Sequence, residues 1–220
     1  MKTTTITLAI LLITSLGFSQ GFHIGAKAGA NFANQKGDED QFLKGRTAFH
    51  LGAIGEIMFT DALGLQIELL YNQLGAKYEE RYDEDFYEGI DESTIKDDYL
   101  SLPVMAKYYI VKGLSLEAGP QISYLLSSKQ EGTIVENGHS EDYSYDLKKE
   151  NYRKSLNIGL GIGASYKLDF GLFFSMRYVA GLSNINEDTI TETYGEFEYT
   201  EKLNKRKNNA FQVSIGYFFN

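Results

Sequence analysis

Three cations and three carboxylates, Lys27, Lys107 and Arg177 against Glu56, Glu68 and Glu117, each stand at a polar position of an otherwise apolar, alternating segment. Alternation with a period of two puts such positions on one side of a sheet. A balanced set held away from water packs as an ion-pair network, because each charge removed from water needs a partner to offset its desolvation. The other chemistry open to it is a gated ion path or a proton-sensitive switch. A second concentration of charge lies between Glu79 and Asp98. There Glu79, Glu80, Asp83, Glu84, Asp85, Glu88, Asp91, Glu92, Asp97 and Asp98 are opposed only by Arg81 and Lys96, so this stretch carries most of the net charge of -9. Carboxylates at this density can hold Ca²⁺ or Mg²⁺ or meet a basic partner. The run Asp83-Glu84-Asp85-Phe86-Tyr87-Glu88-Gly89 lacks the ligand spacing of an EF-hand loop, so a solvated surface loop is the simpler expectation and no metal site is assigned. Tyr82, Phe86 and Tyr87 among the acids favour a partner contact.

Catalytic constellations are sparse. Of the three histidines, His23 and His139 are poorly placed, and His50 faces the polar side near one end of its segment without a His-x-Ser pair on the same face. Acyl transfer or hydrolysis needs such a pair, so neither catalytic residues nor a cofactor are expected. Gly159-x-Gly161-x-Gly163 lies in an alternating segment, where small residues make room for long side chains opposite rather than cradle a phosphate.

Eight alternating segments position these residues. They run from Phe22 to Ala33, Thr47 to Phe59, Leu65 to Asn72, Tyr99 to Ile110, Leu114 to Tyr124, Leu156 to Tyr166, Leu172 to Ser183 and Ala210 to Asn220. In the last, Phe211, Val213, Ile215, Tyr217 and Phe219 share one face. Each segment has about the 9–11 residues that a tilted membrane strand requires. The connections alternate too. Thr60 to Gly64, Val111 to Gly113 and Asp169 to Gly171 are short, whereas Asn34 to Arg46, Glu79 to Asp97, Ser127 to Tyr152 and Asn186 to Asn208 are long and polar. Short turns at one end and long loops at the other characterise outer-membrane barrels. A soluble up-and-down barrel would have an apolar interior, and burying six charges in a dry pocket would be costly.

The start of the chain agrees with export. Met1-Lys2, an apolar run from Ile6 to Ile13 and the small exit residues Gly17 and Ser19 read as a signal peptide over residues 1–20. The apolar run is far shorter than a spanning helix. Without cysteine there is neither a lipidated cysteine nor a disulfide. Tyr and Phe number 16 and 14 against no Trp and 2 Pro, a β-rich usage. The acidic balance excludes a basic nucleic-acid-binding face. Residues 21–220 are therefore expected to form an all-β, eight-stranded antiparallel up-and-down transmembrane β-barrel in the outer membrane, monomeric, with both termini periplasmic and its outer wall against lipid.

Tyr99-Leu100-Ser101-Leu102-Pro103-Val104-Met105-Ala106-Lys107-Tyr108-Tyr109, Leu116-Glu117-Ala118-Gly119-Pro120-Gln121-Ile122-Ser123-Tyr124 and Arg177-Tyr178-Val179-Ala180-Gly181-Leu182-Ser183-Asn184-Ile185 resemble the central strands of the PorT-like outer-membrane β-barrel family of Bacteroidetes. The resemblance implies an eight-stranded barrel of the kind labelled porin-like, in a family with a member linked to secretion and gliding; its diversity carries no such role over. Eight strands leave an interior that side chains fill. The expectation is a plugged, charged lumen with a structural or cell-surface interaction role through long extracellular loops. A basic protein, or lipopolysaccharide bridged by divalent ions, is the expected partner of the acidic loop. A narrow porin or ion channel is the alternative, and a lipid-modifying outer-membrane enzyme a remote one.

Overall fold

A computed structural model describes residues 21–38, 40–84, 87–136, 139–194 and 197–219, with backbone only for 82–84, 87–88, 192–194 and 197–198. The expected signal peptide lies outside the described residues.

Alternation becomes strand almost wherever it was read. The strands are β1 (Phe22–Gly37), β2 (Leu43–Lys44), β3 (Arg46–Met58), β4 (Leu63–Glu84), β5 (Tyr87–Val111), β6 (Leu114–Glu136), β7 (His139–Asp146), β8 (Leu156–Lys167), β9 (Leu172–Gly181), β10 (Thr189–Tyr194), β11 (Phe197–Lys202) and β12 (Arg206–Phe219). Eight of them, β1, β3, β4, β5, β6, β8, β9 and β12, pair antiparallel in chain order, and β12 returns to β1 from Ile24↔Phe219 to Gly37↔Arg206. The sheet closes on itself, so no barrel strand is left with an unpaired edge.

The outer wall is what makes the closed sheet a membrane object. Ile67, Leu69, Leu102, Ile122, Leu160, Ile162, Met176, Val213 and Ile215 stand exposed around its middle. Toward the short-turn end the same face carries Phe22, Phe59, Tyr108, Tyr166, Phe174, Tyr217 and Phe219, and toward the other end Phe32, Phe49, Tyr124, Tyr178 and Phe211. Phe32 meets Phe211 across β1 and β12 with ring centroids 6.4 Å apart, and Phe49 meets Tyr71 at 5.9 Å. Two aromatic girdles flanking an apolar band match the interfaces of a bilayer.

The short links are tight as expected. Thr60 Oγ1 accepts from the backbone of Ala62 and Leu63, closing β3 to β4. Gly171, at φ +98°, takes a left-handed conformation that a side chain would strain, and lets Leu168 N reach Leu172 O at 2.8 Å. Lys112 and Asp169 join two adjacent turns across 2.7 Å.

The long connections differ from the expectation. Glu79 to Asp97 is not a loop: β4 and β5 stay paired from Leu63↔Tyr108 to Glu84↔Tyr87. β6 follows β5 out to Glu136, β7 folds back on β6, and β10 with β11 forms a separate hairpin. The backbone of these segments needs hydrogen-bond partners as much as the barrel does, and strand pairing supplies them where no apolar face marks the strand. At about 3.3 Å per residue, the dozen residues of β4 beyond Asn72 run roughly 40 Å along the strand past the girdle.

Candidate functional site

The interior of the barrel is filled in layers. At the short-turn end Ile54, Phe173 and Phe218 form an apolar plug, with the two phenyl centroids 5.1 Å apart and His23 edge-on to Phe218 at 6.2 Å. Above it, buried Glu56 accepts from Lys107 Nζ at 2.9 Å, Lys167 Nζ at 3.1 Å and the Tyr109 hydroxyl. Lys107 also donates to Gln66 Oε1 at 3.1 Å, and Gln66 Nε2 donates to Glu68 Oε1 at 2.5 Å. Glu68 is gripped by Lys27 Nζ at 2.9 Å and by Arg177 through Nη1 at 3.1 Å and Nη2 at 2.6 Å. Arg177 Nε then donates to Glu117 Oε1 at 2.7 Å.

All six charges named from the sequence therefore belong to one connected network. Sequence reasoning missed Lys167, although its parity with Gly163 and Ser165 places it inward. With it the layer holds four cations and three carboxylates. The glycine stripe of β8 accommodates the largest member: a Cβ at Gly161 would sit 3.2 Å from Arg177 Cδ, and one at Gly163 would sit 3.1 Å from Glu117 Oε1.

Amides and hydroxyls form the next layer. His50 Nδ1 lies 2.8 Å from Asn31 Oδ1 and Nε2 lies 2.8 Å from Ser214 Oγ. The serine missing from the face of His50 is thus supplied by β12, across Gly29 of the intervening β1, and no reading of one strand could find it. With His50 1 % and Ser214 4 % exposed, the trio is enclosed in the packed interior rather than presented to a substrate. Asn31 Nδ2 and Gln212 Nε2 continue the layer to Asn72 Oδ1 and Asn31 Oδ1 at 2.7 and 2.9 Å. Among the described residues Gln121 Oε1, Asn208 Oδ1 and Gln212 Oε1 find no protein partner, and their residues line one enclosed cavity of about 10 Å³.

A second apolar layer, Ala33, Leu74, Tyr99, Leu125 and Ala210, closes the interior toward the long-loop end. Neither apolar layer was read from the sequence, because each of its residues sits singly in a phase dominated by polar neighbours.

The acidic stretch divides between environments. Asp97 is fully buried above the second apolar layer, accepting from Gln35 Nε2 at 2.9 Å and Ser128 Oγ at 2.6 Å. It is a structural acid, not the surface charge expected. Asp98 accepts from Gln73 at 2.9 Å. Asp91 accepts from the Tyr143 hydroxyl at 2.8 Å and Glu80 from that of Tyr78, both on the concave continuation of the lumen face. Glu79, on the other face, is paired with Lys44 and Arg81, while Glu92 is exposed. Hydrogen bonding from Lys44 holds the Glu79 carboxyl below its ordinary range, and burial pushes the Tyr78 and Tyr143 phenols up. Asp85, and the side chains of Asp83, Glu84 and Glu88, lie outside the described residues. Among the described residues no three His, Asp or Glu side chains converge as a metal site.

Between this concave face and the segments that follow β7 and β11 lies a cleft of about 580 Å³, lined among others by Tyr143, Tyr145, Arg153, Asn186 and Lys202. Buried Arg153 forms its floor, donating to Asn186 Oδ1 at 2.5 Å and Gln35 Oε1 at 3.4 Å.

A family model described as outer membrane protein beta-barrel domain matches residues 18–187. The chain belongs to that family. Solved structures similar to this outer-membrane β-barrel include Ail, the attachment invasion locus protein of Yersinia pestis, at 14 % identity over 91 % of this chain and 99 % of that one, TM-score 0.43. The outer membrane protein OprG from Pseudomonas aeruginosa matches at 15 % over 93 % and 98 %, TM-score 0.41, and E. coli outer membrane protein W at 16 % over 92 % and 100 %, TM-score 0.38. No curated protein matches the sequence. The barrel's family and its apolar, twice-girdled wall put it in the outer membrane, against lipid.

Proposed function

We propose that this barrel is a side-chain-plugged, non-enzymatic scaffold that presents an interaction surface outside the cell, with both termini in the periplasm and the protein monomeric. The observation that carries the reading is the filled lumen: a bonded network running from Glu56 to Glu117 lies between two apolar layers, on a wall that continues well past the girdle. Short turns belong on the periplasmic side of such barrels and extended segments outside, which supports this orientation. The PorT-like resemblance is compatible with this reading and adds no partner. The acidic stretch would meet a basic protein or lipopolysaccharide bridged by divalent ions through exposed carboxylates such as Glu92, since Lys44 and Arg81 already neutralise Glu79.

A narrow channel is the second reading, favoured by the enclosed cavity whose unpartnered amide oxygens leave room for about one water in the lumen. Planar-bilayer recording separates the two. The plugged scaffold gives no discrete conductance steps, and steps abolished by Arg177→Ala or Glu117→Gln would overturn it. Replacing Glu79 and exposed Glu92 together by glutamine, which leaves buried Asp97 and the β5–β6 pairing in place, is expected to leave heat-modifiable, folded barrel while removing bound partner from whole-cell pull-downs; a pull-down unchanged by the pair counts against the acidic stretch.

A further inference from the structure

We propose that the cleft at the long-loop end binds a neutral oligosaccharide. The inference rests on the surface-interaction reading and names a ligand class for it. The cleft's volume of about 580 Å³ falls within the range of small-molecule sites. Its wall is aromatic. Tyr143 and Tyr145 point the same way from β7, with ring centroids 5.4 Å apart and planes tilted by 44°. Tyr143 lies over Gly132, where a Cβ would come within 2.8 Å of its ring, and its hydroxyl is fixed on Asp91. Tyr145 is 51 % exposed and lies far above the lipid-facing band of the barrel. Tyrosine offers a broad contact at small entropic cost.

The rest of the lining is polar and of both hydrogen-bonding senses: the Arg153 guanidinium, the Asn186 amide and the Gln130 amide beside Tyr145. Its charges cancel, with Asp91, Glu150 and Glu201 against Arg153, Lys202 and Arg206. A polyanion such as a sulfated glycan or a phosphorylated lipid headgroup gains nothing from a balanced lining. A pyranose fits it: its C–H faces pack on phenol rings and its edge hydroxyls need donors and acceptors together.

The test uses the full mature barrel refolded in detergent micelles and titrated calorimetrically with maltotriose, cellotriose, tri-N-acetylchitotriose and a heparin-derived hexasaccharide. At least one neutral trisaccharide is expected to bind, Tyr145→Ala to weaken it tenfold or more, and Tyr145→Phe to retain it. Binding of the heparin fragment alone, binding of none, or binding indifferent to Tyr145→Ala overturns the proposal. A parallel arm with the delipidated surface polysaccharide of the producing cell separates an own-surface ligand from an environmental one, and preference for either supports the site. A failed titration with a silent bilayer overturns the cleft alone, whereas discrete conductance overturns the underlying scaffold reading.

Discussion

β4, β5 and β6 each line two interiors, one inside the closed barrel and one on the open sheet beyond it, and the same alternation serves opposite ends in the two places. Inside, the inward phase carries Gln66, Glu68, Lys107 and Glu117, buried and joined into one network. Outside, it carries Tyr78, Asp91, Ile95 and Gln130, and the ring no longer closes over them. Closure decides what a polar residue must do. A carboxylate in the barrel has lost its water and needs several fixed donors, whereas one on the open sheet keeps water and makes do with a phenol, as Asp91 does, or a single lysine, as Glu131 does.

The comparison breaks most violently at Arg177, which serves both Glu68 and Glu117. Arg177→Ala leaves two carboxylates without their main donor in a site closed to water, and is expected to cost about 3–5 kcal/mol. Urea unfolding of the barrel in lipid vesicles measures it, and adding Glu117→Gln should return part of the loss. An unfolding midpoint unmoved by Arg177→Ala would mean that the layer is hydrated after all. Leu125→Ala comes next. It empties part of the second apolar layer without orphaning a charge, at about 2–5 kcal/mol. Bilayers should stay silent, because the charged layer beneath is intact; conductance in this variant would place the seal in the apolar layer alone.

Legibility in the sequence followed the same division. Every barrel strand was readable because one face meets lipid, so Leu100, Leu102 and Val104 alternate with Ser101 and Met105 without ambiguity. The six lumen charges were readable as one set for the same reason. The extension was not: in Tyr78 to Arg81 both faces meet water, so strand and loop look alike in composition although β5 pairs with every residue. Asp97 shows the cost, since it shares its composition with a solvated neighbourhood and its environment with the lumen. His50 with Ser214 was out of reach for a different reason: 164 residues separate two groups that only barrel closure joins.

On the open sheet the effects shrink. Gly132→Ala would push a methyl against the Tyr143 ring and the Ser93 side chain, displacing the aromatic wall of the cleft. The expected cost in stability is about 1 kcal/mol, with barrel unfolding in vesicles otherwise unchanged. Coupled loss of barrel stability above that would show that the extension and the barrel fold as one unit.

The smallest effect belongs to Glu131, paired with Lys96 on the solvent face of β5 and β6. Hydrogen bonding from the Lys96 ammonium holds the Glu131 carboxyl below its ordinary 4.5. A carboxylate depressed in the folded state stabilises it above the unfolded value, and that contribution is lost as pH falls through the folded one. The window therefore opens below about pH 4.5 and reaches only the hairpin. An exposed pair is worth little, since water and salt screen it. NMR titration of the Glu131 side chain should show its midpoint rise toward 4.5 in Lys96→Met, and in wild type at high salt. A midpoint that ignores both would mean that Glu131 is held by the sheet rather than by the lysine, and the open face would then resemble the lumen more than its exposure implies.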